Sequence, residues 1–209
     1  MGVLDSILGL ITGGSRHTAR RVGRMAVKTA QHTAYEAGRA SFQANALEHG
    51  DRTTSAVFSV LPSTLTELMA SPYNDLRTPM NTAVLFVAAL NIYNQNRDES
   101  IAIINYLRGP SPLNSDEISI LDGHMAQNNK DGCLARSYLS GAVPQNGYTP
   151  SQPYTIAITD NPYTYYDRDA ATVFVHCGGD SSPRSINMCK LADGLWHLGM
   201  LSLLDGVQS

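Results

Sequence analysis

The run Ala83 to Leu90, AVLFVAAL, constrains this chain more than any other stretch. It follows Thr78-Pro79, a residue able to cap a helix and then a proline at the first helical position, where a missing N–H costs nothing. A helix that is apolar nearly all round cannot lie on a surface, so RTPMNTAVLFVAALNIYNQ predicts a central buried helix. The rest of a 209-residue chain, long enough for one domain and an appendage, then packs around it.

Its neighbours also read as helices. Ser63 can cap a short one, with Glu67 in its first turn and Pro72 closing it. Asp98 is placed to cap the next, where Ile101, Ile104 and Leu107 form the stripe and Gly109-Pro110 the stop. Ser115 can cap a fourth, with Asp116 and Glu117 at its positive end. Past Gly132 the texture changes. ARSYLSGAV, YTIAIT, ATVFVHC, RSINMCKL and LWHLGMLSLL are short, rich in branched and aromatic residues, and separated by turn formers. Four helices followed by four or five strands predict an α+β domain, with four short helices on one face of an antiparallel sheet. That domain spans 51–209, helical over 56–130 and strand-rich over 133–207, and residues 1–50 form a helical N-terminal arm.

Hydrophobic residues make up 43% of the chain and charged ones 16%, a globular balance rather than a disordered one. The net charge of -3 hides an asymmetry: residues 1–50 carry six basic against three acidic side chains, and the remainder is acidic. Three cysteines without a CxxC pair suit a reducing compartment. No apolar run approaches a membrane span, and MGVLDSILGLITGG lacks a basic start, so no secretory signal is expected and the cytoplasm is the default.

The arm has two parts. Val3, Leu4, Ile7, Leu8 and Ile11 recur at helical spacing, and Gly13-Gly14 then ends the segment. Ser15 can cap a second helix running to about Leu47, on which Arg20, Arg21, Arg24 and Lys28 share a face with His17. The opposite face is a ribbon of small residues, including Ala26, Ala37, Ala40 and Ala44. Self-assembly through this arm is the first expectation, with a protein partner or a second copy of the chain as its target. Peripheral contact with an anionic membrane surface is the second. No nucleic acid is expected, since an acidic body repels the phosphate backbone.

The loop in FVHCGGDSSPRSINMC concentrates chemistry without arranging it. His176 and Cys177 are adjacent on an expected strand and so point to opposite faces, which forbids a dyad between them. Cys177, Cys189, His176 and His197 lack the close pairs of a zinc site, so no metal and no cofactor are expected. Gly178, Gly179, Ser181, Ser182 and Arg184 are the residues for weak anion binding, a backbone nest beside a guanidinium. Without a Walker lysine or a following helix, the loop is not a P-loop. The same residues also make a hairpin turn in which Asp180 bonds the turn's own N–H groups and pairs with Arg184. Tyr148, Tyr154, Tyr163, Tyr165 and Tyr166 suit either a contact surface or the pinning of a long loop, and Asp193-Gly194 before Trp196 marks a further hairpin.

The segments FSVLPSTLTEL, AVLFVAALNIY, INYLRGPSPLN, GAVPQNGYTPSQPYTIAITDNPYTY and GGDSSPRSI resemble, in order and spacing, a bacterial family found mostly in gut anaerobes and catalogued as a domain of unknown function. The resemblance covers about residues 56–207 and implies a domain boundary but no activity. The leading functional expectation is a non-catalytic interaction or scaffold module. The alternative is a small ligand-binding protein or enzyme using the loop at 178–184.

Overall fold

The structure, a computed structural model, describes residues 52–199; the arm residues singled out above lie outside them. The first described element is a strand, β1 (Arg52–Phe58), followed by helices α1 (Leu65–Met69), α2 (Pro79–Ile92), α3 (Arg97–Arg108), α4 (Ser115–Asn128) and α5 (Cys133–Ser137). Strands β2 (Tyr154–Asp160), β3 (Ala170–Val175), β4 (Arg184–Lys190) and β5 (Trp196–Leu198) complete it. The five strands form one antiparallel sheet in the order β1-β2-β3-β4-β5. Strands β2 to β5 are a meander, whereas the β1–β2 connection carries every described helix.

Helix α2 is central, as its sequence requires. Thr78 Oγ1 accepts the Asn81 N–H, Pro79 opens the helix, and every residue from Thr82 to Leu90 is buried. It packs against β2, β3 and β5. The strands meet it with alternate residues: Ile156 and Ile158 of β2, Ala171, Val173 and Val175 of β3, Ile186 and Met188 of β4 are buried while their neighbours are half-buried. Burying a branched or aromatic side chain of this kind stabilises by about 1.5–3 kcal/mol. This layer, with Leu68 of α1, Ile103, Ile104 and Leu107 of α3 and Leu121 of α4, makes one core.

Several local expectations need correction. Three caps are displaced from the predicted positions: Thr64, one residue later, and Asn96 and Asn114, two and one residues earlier, accept the N–H groups of Glu67, Glu99 and Asp116/Glu117. Ser63 instead bonds the Glu67 carboxylate through its N–H and hydroxyl, and Asp98 stands in the first turn of α3. ARSYLSGAV is not a strand. It finishes α5 and continues into turns, touching the sheet at a single bridge between Leu139 and Ile156. Leu134, Ala135, Tyr138 and Leu139 are buried at helical spacing there, so the apolar run follows a period of 3.6 rather than 2. Strand β1 was not anticipated, because only Ala56 and Phe58 of its seven residues are buried.

Candidate functional site

A cavity of about 460 Å³ opens beside the C-terminal end of α2, between the turn that leads into α5 and the start of β2. Its polar wall is built from amides. Asn129 is buried; its Oδ1 accepts the Ala135 N–H at 3.0 Å and its Nδ2 donates to Asn94 Oδ1 at 3.1 Å. Asn94 Nδ2 donates back to the Asn129 carbonyl at 3.1 Å, closing a reciprocal pair. Asn91 Nδ2 donates to the carbonyls of Val87 and Ala135, at 3.0 and 2.9 Å. Both amide hydrogens of Asn91 are thus committed, which leaves Oδ1 as its remaining polar group at the wall. Gln95 adds an exposed amide at the rim. Leu61, Leu139, Pro150 and Tyr154 form the apolar side.

Arg136 organises the floor. Its Nη1 donates to the Asp131 carbonyl at 2.6 Å and its Nε to the Tyr148 carbonyl at 2.9 Å. These two acceptors are the described non-glycine residues with positive φ, 52° at Asp131 and 56° at Tyr148. Each has a left-handed glycine next to it, Gly132 at 76° and Gly147 at 63°. Two left-handed corners, of which Asp131-Gly132 lines the cavity, therefore turn a carbonyl toward the same guanidinium. Holding a bulky residue such as Tyr148 there costs of order 1–3 kcal/mol, which the surroundings must offset. Gly132 is needed for its backbone angle, and a Cβ there would stand 3.0 Å from Arg136 Nη1 and press on the guanidinium.

The third donor, Nη2, reaches only Cys133 Sγ, at 3.6 Å. All three partners are neutral. Among the described residues three arginines are half-buried, and the other two are paired with acids: Arg108 with Glu117 and Arg184 with Asp180, both at 3.0 Å. Asp131, whose side chain is exposed, also lines the cavity, yet it makes no ion pair with Arg136. One cavity is thus lined by a cation and an anion that make no ion pair with each other, together with amides and an apolar wall.

The residues predicted from the loop lie elsewhere. Gly178, Gly179, Ser181, Ser182 and Arg184 join β3 to β4 in the expected hairpin. Several of its N–H groups are already bonded: Gly178 to the Ser137 carbonyl, Asp180 to the Cys177 carbonyl and Ser182 to Asp180 Oδ1. Asp180 Oδ2 accepts from Arg184. Gly178 is dictated by close approach, since a Cβ would fall 1.7 Å from the Ala142 carbonyl oxygen. His176 is exposed and Cys177 buried, in keeping with opposite orientations. His197 does not join this loop. It pairs with Cys189 while Arg184 pairs with Val175, about 16 Å away along β4 at the usual rise of a strand. Buried His197 sits between the Leu107 carbonyl and Asp193 Oδ2 instead. No group of metal-ligating side chains occurs among the described residues.

Sequence reading missed Asn91, Asn94, Asn129, Asp131 and Arg136. Asp131-Gly132 and Asn146-Gly147 were legible as turns, but their convergence on one arginine is a tertiary fact. Neither the curated proteins nor the solved structures contain a significant match to this chain. The family comparison is positive: residues 60–208, which include the whole cavity and every described element after β1, match the family described as "Domain of unknown function (DUF6935)", and the chain belongs to that family.

Proposed function

We propose that the protein is a non-catalytic binding module whose body holds a small polar ligand in the amide-lined cavity. The observation that carries this reading is the convergence of two left-handed corners on Arg136 at the floor of a cavity of about 460 Å³. Cavities of roughly 300–1,000 Å³ with a few fixed polar groups on an apolar surround are the usual form of small-ligand sites. Backbone strain also concentrates where a site is held in one geometry.

The test is a side-chain amide spectrum of the full chain, recorded with four probes in turn: D-glucose, acetate, methylammonium and L-leucine. At least one is expected to shift the amide signals of Asn91, Asn94 and Gln95 while Asn187, on β4, stays still. If all four leave the cavity amides unmoved, the reading fails.

The N-terminal arm supports a second, compatible role. Val3, Leu4, Ile7, Leu8 and Ile11 are spaced for an apolar helix face, and Arg20, Arg21, Arg24 and Lys28 for a basic one. The arm would gather copies of the chain, or fix it to an anionic surface, in the cytoplasm of a bacterium. In this scheme the loop at 178–184 is a subordinate anion site: an anion at Gly178, Gly179, Ser181 and Ser182 competes with Asp180 for Arg184.

A further inference from the structure

Resting on the ligand-binding reading of the cavity, we infer that its ligand class is a small zwitterion of the α-amino acid type, with an apolar side chain. Arg136 would take the carboxylate and Asp131 the ammonium.

The reasoning starts from charge. A half-buried guanidinium loses hydration and needs compensation, and hydrogen bonds to neutral carbonyls supply only part of it. The other two half-buried arginines of the described residues obtain the remainder from a carboxylate. Arg136 does not, although two of its five N–H donors remain after the bonds to Asp131, Tyr148 and Cys133. A carboxylate is the planar acceptor that best fits a guanidinium. A ligand with only a carboxylate would leave Asp131 unanswered at the rim, and a neutral polyol would answer neither charge. In an α-amino acid the two groups sit on one carbon, so a single small molecule can serve two charges that do not reach each other. Asn91, whose Oδ1 remains to accept, and the Gln95 amide line the same cavity. Leu61, Leu139, Pro150 and Tyr154 offer an apolar face to the side chain.

The experiment is calorimetric titration of the full chain with L-leucine, N-acetyl-L-leucine, L-leucinamide and D-glucose. The acetyl form lacks the ammonium and the amide form lacks the carboxylate. Losing either charge-assisted contact is expected to weaken binding by about tenfold or more. Arg136→Gln should abolish the response to N-acetyl-L-leucine. Asp131→Asn should leave that response in place and remove the advantage of L-leucine over it, and asparagine suits the left-handed angle at least as well as aspartate. Should Arg136→Gln fail to fold, the Asp131→Asn comparison decides alone. Equal affinity for the three leucine forms overturns the inference, as does binding of D-glucose in preference to all of them; either result leaves the cavity as a ligand site. No heat with any of the four, together with unmoved cavity amides, overturns both.

Discussion

Tyr93 ends α2 and shows how much one side chain can fasten. Its hydroxyl donates to Asp122 Oδ1 on α4, and the same carboxylate accepts from Arg97 Nε at 2.9 Å and Nη2 at 2.7 Å. Three helices therefore meet at one carboxylate. The hydrogen bonds from Arg97 hold Asp122 below the ordinary carboxylate range, against the opposing effect of burial. For Tyr93, burial first and then the hydrogen bond to Asp122 push the phenol up to about 12 from 10.0. Folding thus favours the protonated phenol. The stabilisation is fully present below pH 10.0 and is lost as the pH climbs from there through about 12. In an ultraviolet titration Tyr93 should ionise near pH 12 in the native chain, alongside Tyr148 and Tyr165, which burial also pushes up, and Tyr93→Phe should lower the amplitude of the late phase by one phenol. An unchanged late amplitude in the variant would refute the assignment. The site teaches a complementary lesson at this scale. The dipeptides Asp131-Gly132 and Asn146-Gly147 declare turns in the sequence, because aspartate, asparagine and glycine tolerate left-handed angles. Nothing local declares that Arg136 will lie between them.

At the level of elements, legibility followed the strength of the periodic signal. Helix α2 could be read because its apolar run leaves no surface face, and β2, β3 and β4 because alternation between buried and half-buried positions spans each of them. Strand β1 carries Arg52, Thr53, Thr54 and Ser55 exposed at the edge of the sheet, so its pattern is nearly all polar. Its identity comes from pairing with β2, from Arg52↔Asp160 to Phe58↔Tyr154, and the partner is roughly a hundred residues away. Helix α5 hides for a different reason: Leu134, Ala135 and Arg136 are good helix formers, but the helix is only five residues long and runs into Tyr138 and Val143, which favour strands, so burial at helical spacing beneath Asn91 and Asn129 shows only in the fold. The Thr78 cap was legible outright, and the other three were legible as clusters of polar residues, ambiguous by one or two positions. Asn114 settles its own case by forming a full capping box with Glu117, whose Oε2 accepts the Asn114 N–H at 3.0 Å. Asn114→Ala should therefore lower the unfolding free energy by about 1 kcal/mol, whereas Ser115→Ala should change it by only a few tenths. Chemical denaturation of the two variants separates them, and equal midpoints would return the cap to Ser115.

For the whole molecule, the family match and the charge distribution divide the chain in nearly the same place. The match begins at residue 60, whereas the excess of basic over acidic side chains ends by residue 50. Only β1 lies between them, and it is fully paired within the body's sheet. A deletion of residues 1–47 consequently removes the amphipathic and basic patterning without touching any described element. The shortened chain should stay folded, with a cooperative unfolding transition and the late Tyr93 ionisation preserved. Its behaviour in association should change. Each basic residue near an anionic surface contributes roughly 1 kcal/mol, so loss of Arg20, Arg21, Arg24 and Lys28 should abolish partition onto phosphatidylserine vesicles if the arm seeks membranes. That partition in the full chain should also weaken with added salt, since exposed charges are screened beyond about 10 Å at 0.1 M. If the arm joins copies of the chain, light scattering should instead show a larger mass for the full chain than its 22.6 kDa monomer, falling to a monomer on deletion. The two outcomes assign different partners to the same arm. Unchanged scattering mass and unchanged vesicle partition on deletion would remove the arm from the function and leave the cavity to carry it.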